Sequence, residues 1–248
     1  MRSLLRIWPD ARFIVMLRDP LEMLPSLHQR LLYLGDEAET DFGAAWRLIG
    51  QRAAGRGIPR SCVDPRLLRY DRIGRLGEHV CKFLDVVGDH RCLVILHEDL
   101  AADCAGVYRR VQQFVGLTPV EPPERRIHRE SFSYRIGWLQ RLLYRPPIVT
   151  RALVRRANNA DAVISVRNAR SSSIGRAARK LRRQLVRWNR VPAPPPFMPP
   201  DVRAEICDLF ADDIARLSVR IDRDLGHWLD GAVGARMPPI RDILRRTG

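Results

Sequence analysis

Two short apolar runs constrain the fold of this chain more than any other feature of its sequence. They are RFIVML at residues 12–17 and RCLVIL at residues 91–96, and their length and β-branched content predict buried strands. The residues between them follow helical spacing, with helices expected at 19–35 and 67–87. A strand, intervening helices and a second strand predict a parallel sheet flanked by helices, which is an α/β fold.

The second half of the chain is expected to be mainly helical. A basic helical insert is predicted at about 140–190, and VPAPPPFMPP at 191–200 is predicted to be a stiff, extended linker. Apolar residues three and four positions apart predict one long amphipathic helix over 201–229. Residues 1–230 are therefore interpreted as one domain, and residues 231–248 as a basic tail.

The cysteines and the apolar runs indicate the compartment. The 248 residues include five dispersed cysteines with no CxxC pair, which is typical of reduced thiols in a cytoplasmic protein rather than of disulfides or a zinc site. No run of about 18 apolar residues occurs, so no transmembrane segment is predicted. The first residues do not resemble a secretory signal. A cytoplasmic location is expected.

The formal net charge of +15 is large, and lysine supplies only Lys82 and Lys180 of the 43 basic residues. Coding bias in a GC-rich genome could account for the arginines. The functional interpretation is an anionic partner such as phosphate, sulfate, nucleic acid or acidic lipid. The stretch 167–190 alternates arginine clusters with apolar residues, which fits nucleic-acid binding or, preferably, a basic helix packed on the domain.

The stretch ARFIVMLRDPLEMLPSLHQ, residues 11–29, predicts an anion site. Asp19 is placed as the N-cap of a helix with Pro20 first and Glu22 third, so the strand ends at Arg18. Ligands of parallel sheets bind at the carboxyl ends of strands, and a helix N-terminus attracts anions. The guanidinium of Arg18 would suit two phosphate oxygens. The alternative is that Arg18 only pairs with a nearby carboxylate.

A longer stretch, PDARFIVMLRDPLEMLPSLHQRLLYLGDE, resembles the 3′-phosphate-binding segment of sulfotransferases that use 3′-phosphoadenosine 5′-phosphosulfate (PAPS). In that family an Arg at the strand end and a Ser eight residues later hold the nucleotide 3′-phosphate. Arg18 and Ser26 match those positions. Residues 66–117, with a strand ending in Glu-Asp-Leu, and residues 199–229, ending in DLGHWL, resemble later parts of the family in the same order.

The resemblance implies a P-loop-NTPase-like parallel sheet flanked by helices, and transfer of a sulfonate group from PAPS to a hydroxyl or amine acceptor without a metal. It implies that Tyr70, and Arg135 in the loop HRESFSYRIGWL, assist nucleotide binding, with Arg129 as a second choice for the loop. Tyr70 could instead be a core residue, and Arg135 a solvated one. Glu98 and Asp99 could take part in acid/base chemistry, but a structural role, such as a helix cap or a partner for Arg18, is preferred. No residue is assigned as catalytic.

One part of the family pattern has no counterpart here. Family members begin with a strand, a P-loop-like loop carrying Lys, and a helix, whereas this sequence contains no G-x-x-x-x-G-K-[ST] motif. The domain is therefore interpreted as N-terminally incomplete. The first hypothesis is a sulfotransferase whose acceptor is a carbohydrate, lipid or small molecule. The alternatives are a non-catalytic fragment or pseudoenzyme with a 3′-phosphate half-site, or a basic nucleic-acid-binding protein, which is disfavoured.

Overall fold

The computed structural model describes residues 2–122, 132–144, 173–192 and 197–229. The chain divides into two compact units. The first unit comprises Met1–Leu21, Gly74–Pro123 and Pro200–Gly248, and the second unit comprises Glu22–Ile73 and Glu124–Pro199.

The described residues form short strands separated by many helices. In chain order the elements are α1 (Arg2–Ile7), β1 (Phe13–Leu17), α2 (Pro20–Leu34), α3 (Phe42–Arg47), α4 (Ile49–Ala53), α5 (Tyr70–Ile73), α6 (Leu76–Val87), β2 (Cys92–Leu96), α7 (His97–Ala102), α8 (Cys104–Phe114), β3 (Phe132–Tyr134), α9 (Gly137–Tyr144), α10 (Ser173–Asn189), β4 (Arg190–Pro192) and α11 (Pro200–Ile221). Three 3-10 turns add Pro65–Leu68, Asp89–Arg91 and Gly226–Trp228.

The two predicted strands form a parallel pair in the first unit. Phe13 of β1 lies opposite Cys92 of β2, and Leu17 lies opposite Leu96, so both strands end at the same edge. The side chain of Leu17 is buried, and the ring of Phe13 meets Phe83 of α6 edge-on at 5.4 Å. The parallel α/β arrangement expected from the two apolar runs is confirmed.

The core of the first unit lies where α11 packs along α6. Because α11 places an apolar residue toward α6 at every turn, the buried side chains recur three or four positions apart. The buried residues of α11 are Val202, Ile206, Phe210, Asp213, Ile214 and Leu217, and those of α6 are Gly77, Val80, Leu84 and Val87. A side chain at Gly77 would collide with the backbone carbonyl of Asp213, so glycine permits this close helix packing.

Two predicted helices end or break earlier than their apolar pattern indicates. The helix expected over 67–87 is three pieces, because Arg69 and Arg75 leave the helical region with ψ values of 73° and 67°. The helix expected over 201–229 begins one residue earlier, at Pro200, and ends at Ile221. Asp222 has a φ of 53°, which is a left-handed conformation that terminates a helix.

The second unit contains a helix pair and a strand pair. Helix α10 packs against α9, and β3 pairs with β4 in antiparallel orientation. Asn189 is fully buried between them: its amide donates to the backbone carbonyl of Ile136 and to Gln140 Oε1, and its Oδ1 accepts from the N–H of Ile136. The strand β4 includes the first two residues of the predicted proline linker, Val191 and Pro192.

Parts of three predictions lie outside the described residues. These are the middle of the basic insert between α9 and α10, the prolines between β4 and residue 197, and the tail after 230. Among the helices that the structure describes, none has the length and apolar character needed to cross a membrane.

Candidate functional site

The connection between β1 and α2 is built as the sequence predicts. Asp19 Oδ1 accepts a hydrogen bond from the backbone N–H of Leu21 at 2.7 Å, which confirms Asp19 as the N-cap, and Pro20 is the first helical residue. Arg18 is half-buried at the carboxyl end of β1. The first turn of α2 therefore begins at the edge of the parallel pair where the α/β folds bind ligands.

Ser26 lies farther along the same helix. It is the seventh residue of α2, about 9 Å along the helix axis from Pro20. Its side chain is half-buried, and it follows the buried Pro25, which has no N–H to donate within the helix. Arg18 and Ser26 thus belong to one continuous strand-to-helix segment. The guanidinium of Arg18 and the hydroxyl of Ser26 are both groups that donate hydrogen bonds to phosphate oxygens.

The second half of α2 is held within the second unit by His28. The His28 Nε2–H donates to the backbone carbonyl of Glu39 at 2.8 Å, and the ring lies edge-on to Phe42 and Tyr70. Burial lowers the pKa of His28, and the hydrogen bond to Glu39 and the nearby Glu37 carboxylate oppose this only in part. His28 is a packing residue, and it lies two positions beyond Ser26.

Glu37 is the centre of a buried polar cluster that sequence reasoning missed. Its side chain is paired with Arg52 at 2.8 Å, and both side chains are almost completely buried. Its Oε1 also accepts from the backbone N–H groups of Ala38 and Glu39. Burial alone would raise the pKa of Glu37, but these backbone hydrogen bonds and the Arg52 guanidinium hold it below its usual value. The carboxylate is therefore ionised inside the unit.

Tyr70 belongs to the same cluster. It is fully buried, and its hydroxyl donates to Glu37 Oε2 at 3.0 Å. Burial, together with the charge of Glu37, raises the pKa of Tyr70, so the phenol stays neutral and acts as a hydrogen-bond donor. This environment favours the core role for Tyr70 over direct contact with a nucleotide.

Arg135 lies in the second unit where, among the residues that the structure describes, it contacts α10 and not the Glu37 cluster. Its backbone N–H donates to the carbonyl of Asn189 at 2.8 Å, and its exposed guanidinium lies over the ring of Trp188 at 5.8 Å. Arg135 directly follows β3, so the predicted loop residue is attached to a short strand pair. Arg129, the other candidate in this loop, lies outside the described residues.

The acidic pair after β2 has the structural role that was expected for it. Glu98 accepts hydrogen bonds from Trp228 Nε1 at 3.0 Å and His227 Nε2 at 3.1 Å. Asp99 forms a bidentate pair with Arg223 at 3.0 and 2.9 Å, and that guanidinium lowers the pKa of Asp99. These contacts tie the DLGHW segment after α11 to the end of β2.

The family model for the sulfotransferase domain matches residues 4–135, which is more than half of the chain. This chain belongs to the sulfotransferase domain family. The matched residues of this sulfotransferase family member include Arg18, Ser26 and Tyr70, and the match ends at Arg135.

A solved structure agrees with this assignment at the level of the fold. The chain is similar to a sulfotransferase from Alicyclobacillus acidocaldarius with a TM-score of 0.53 and 23% sequence identity. The similarity covers 92% of this chain and 61% of the other. This chain therefore spans about 61% of the length of that sulfotransferase. A search of curated proteins found no match.

Proposed function

We propose that this protein transfers a sulfonate group from PAPS to a hydroxyl or amine acceptor. The observation that carries the proposal is the family match over residues 4–135, because it includes the whole strand-to-helix segment of Arg18 and Ser26. When bound, PAPS supplies an electrophilic sulfonate group attached to a good leaving group, adenosine 3′,5′-bisphosphate. The proposal needs no metal.

The residues of this segment suit the 3′-phosphate of that nucleotide. In the proposal the guanidinium of Arg18 donates to two phosphate oxygens, and the hydroxyl of Ser26 donates to a third. The start of α2 adds a partial positive charge, although Asp19 already occupies the N–H of Leu21. Tyr70 acts indirectly, by packing against His28 on the same helix as Ser26.

Arg135 is proposed as a further phosphate contact. Its guanidinium is exposed and lies over the Trp188 ring, and its N–H groups can donate to phosphate oxygens. The five cysteines are free thiols, which supports the proposed cytoplasmic location.

Calorimetry with two nucleotides tests the 3′-phosphate site. We expect Arg18→Ala to weaken binding of adenosine 3′,5′-bisphosphate about 10- to 100-fold, since hydrogen bonds to charged groups contribute about 1.5–3 kcal/mol. Binding of adenosine 5′-monophosphate, which lacks the 3′-phosphate, should not change. Ser26→Ala should have a smaller effect in the same direction.

Arg30→Ala is the matched control, because Arg30 is an exposed arginine on the same helix. Equal losses for the two nucleotides, or no loss of bisphosphate binding in Arg18→Ala, would contradict the assignment of Arg18.

A second candidate function is a non-catalytic protein that retains only the 3′-phosphate site. It is favoured by one feature of the sequence, which is that no G-x-x-x-x-G-K-[ST] motif occurs in it. Incubation with radiolabelled PAPS and a panel of phenol, sugar and amine acceptors distinguishes the two. Transfer of label to an acceptor supports the enzyme, whereas bisphosphate binding without transfer supports the second candidate.

A further inference from the structure

Almost all of the net charge of this chain lies in one segment. Residues 131–200 hold 15 basic residues and a single acidic one, Asp161, so they carry +14 of the total charge of +15. The rest of the chain is nearly balanced. Coding bias would enrich arginine throughout the sequence and would not by itself remove the acidic residues from one segment. This segment also lies almost entirely beyond the family match, which ends at residue 135.

The described part of α10 carries an exposed apolar stripe beside a basic one. Leu181 and Trp188 are 57% and 53% exposed, and because they are seven residues apart they lie on the same side of the helix. Lys180 and Arg187 precede them by one residue each and are also exposed, so they form a parallel stripe about 100° around the axis. The buried Asn189 lies about 100° from Trp188 around the axis, on the other side of the apolar stripe from Lys180 and Arg187, and packs inward.

The surroundings of this stripe are basic and apolar as well. The Arg135 guanidinium lies over the Trp188 ring, and neither α9 nor α10 contains an acidic residue. Helix α9, which packs against α10, exposes Trp138 and Leu142 by 69% and 48%. Exposed apolar side chains that cluster on a surface mark interaction sites, and these accompany an unbalanced positive charge.

We propose that the exposed side of α10 is a docking surface for an anionic lipid bilayer. Acidic headgroups would neutralise Lys180 and Arg187, while Leu181 and Trp188 would enter the boundary between headgroups and acyl chains. Nucleic acid would use the arginines and could stack on Trp188, but it offers no apolar medium for Leu181. The helix lies on the surface of the bilayer in this arrangement.

Sedimentation with vesicles tests the charge requirement. The full chain should bind vesicles of phosphatidylcholine mixed with phosphatidylglycerol, and should not bind vesicles of phosphatidylcholine alone. Replacing both stripe cations (Lys180→Gln with Arg187→Gln) should weaken partitioning about 30-fold, since each basic residue near the surface contributes about fivefold. The control is Arg56→Gln with Arg60→Gln, which removes the same charge from exposed arginines outside the segment and should leave partitioning almost unchanged.

A second pair of variants tests the apolar contribution. Leu181→Gln with Trp188→Gln keeps helix-compatible side chains and should weaken partitioning by about tenfold or more. The control is Leu117→Gln with Val219→Gln, which changes two exposed apolar residues of the first unit. Circular dichroism checks folding, and Leu181→Gln alone replaces the double variant if that variant unfolds.

Three outcomes would overturn the proposal. The first is equal binding to neutral and anionic vesicles, and the second is loss of binding in the control variants to the same extent as in the stripe variants. The third is tight, salt-sensitive binding of double-stranded DNA without binding to anionic vesicles, which would assign the segment to a nucleic acid instead.

Discussion

Each unit of this protein contains a buried carboxylate that accepts hydrogen bonds from two backbone N–H groups, and Glu37 and Asp213 are stabilised differently. Glu37 of the second unit accepts from two backbone N–H groups and also from the buried guanidinium of Arg52 and the Tyr70 hydroxyl. Asp213 of the first unit accepts from the backbone N–H groups of Gly77 and Glu78, at 2.7 and 2.8 Å. Within the described ranges Asp213 forms no ion pair.

Glu37 and Asp213 differ in the partner groups that would be left buried if the charge of the carboxylate were removed. Without the Glu37 carboxylate, the Arg52 guanidinium would be a buried cation with no counterion, and such a group is far more costly than a buried amide. Without the charge of Asp213, only backbone N–H groups at the start of α6 lose an acceptor. Burial of the carboxylate alone therefore does not determine its importance, because its partners decide the cost of losing it.

The largest predicted effect is that of Glu37→Gln. The amide keeps the size of the side chain and removes its charge, so we expect the free energy of unfolding to fall by about 3–5 kcal/mol. Urea denaturation measures this change. The control is Asp64→Asn, whose partner Arg66 is exposed, and it should unfold almost like the parent chain. A Glu37→Gln loss as small as that of the control would mean that Arg52 is not held by the pair.

Asp213→Asn is expected to have an intermediate effect. Its amide oxygen can still cap one of the two N–H groups, while its NH₂ group faces the other, so we expect a loss of about 2 kcal/mol in the free energy of unfolding. Asp213→Ala should cost more, because both N–H groups then lack their acceptor. Asp212→Asn is the matched control, since Asp212 is the exposed neighbour on the same helix. If both Asn variants had the same stability, the cap on α6 would not matter.

The local parts of this structure could be predicted from the sequence. The strand ending before Arg18 and the Asp19 cap follow from contiguous residues, namely an apolar run followed by Asp-Pro. The packing of α11 follows from one apolar residue per turn. The family resemblance also rested on contiguous stretches, and the family match confirms it. Features of this kind can be recognised from contiguous residues, without knowledge of the tertiary structure.

The parts that depend on distant residues could not be predicted. Glu37 and Arg52 are 15 positions apart in stretches without a common period, and charged residues are buried only when the fold supplies partners. The end of α11 was missed because Leu225 and Trp228, which follow the break at Asp222, continue the apolar spacing of the helix. The role of Glu98 as an acceptor for Trp228 likewise needs contacts 130 residues apart.

The ion pair of Asp99 and Arg223 in the first unit is partly exposed, and we expect its loss to change the free energy of unfolding less than the loss of a buried carboxylate. Asp99 and Arg223 are bidentate but partly solvated, so we expect Asp99→Asn to lower the free energy of unfolding by only about 0.5–1 kcal/mol, and less at high salt. Arg223→Gln and the double variant complete a thermodynamic cycle, which isolates the energy of the pair. A coupling energy as large as the Glu37→Gln loss would remove the distinction between buried and exposed pairs.

The smallest predicted effect is a pH dependence from the second unit. Because the pKa of His28 is lowered from its usual 6.5 in the folded chain, the unfolded chain binds more protons as the pH falls below that value. Stability should therefore decrease from about pH 6.5 downward, until the pH reaches the folded pKa of His28. The contribution of Glu37 is lost only at lower pH, because its folded pKa lies below 4.5.

Urea denaturation from about pH 7 to about pH 5 measures this slope. His28→Gln keeps a donor for the Glu39 carbonyl but cannot be protonated, so its stability should be flatter over this range than that of the parent chain. His90→Gln, at an exposed histidine of the first unit, should keep the parent slope. An unchanged slope in His28→Gln would mean that His28 is not the group responsible for the pH dependence over this range.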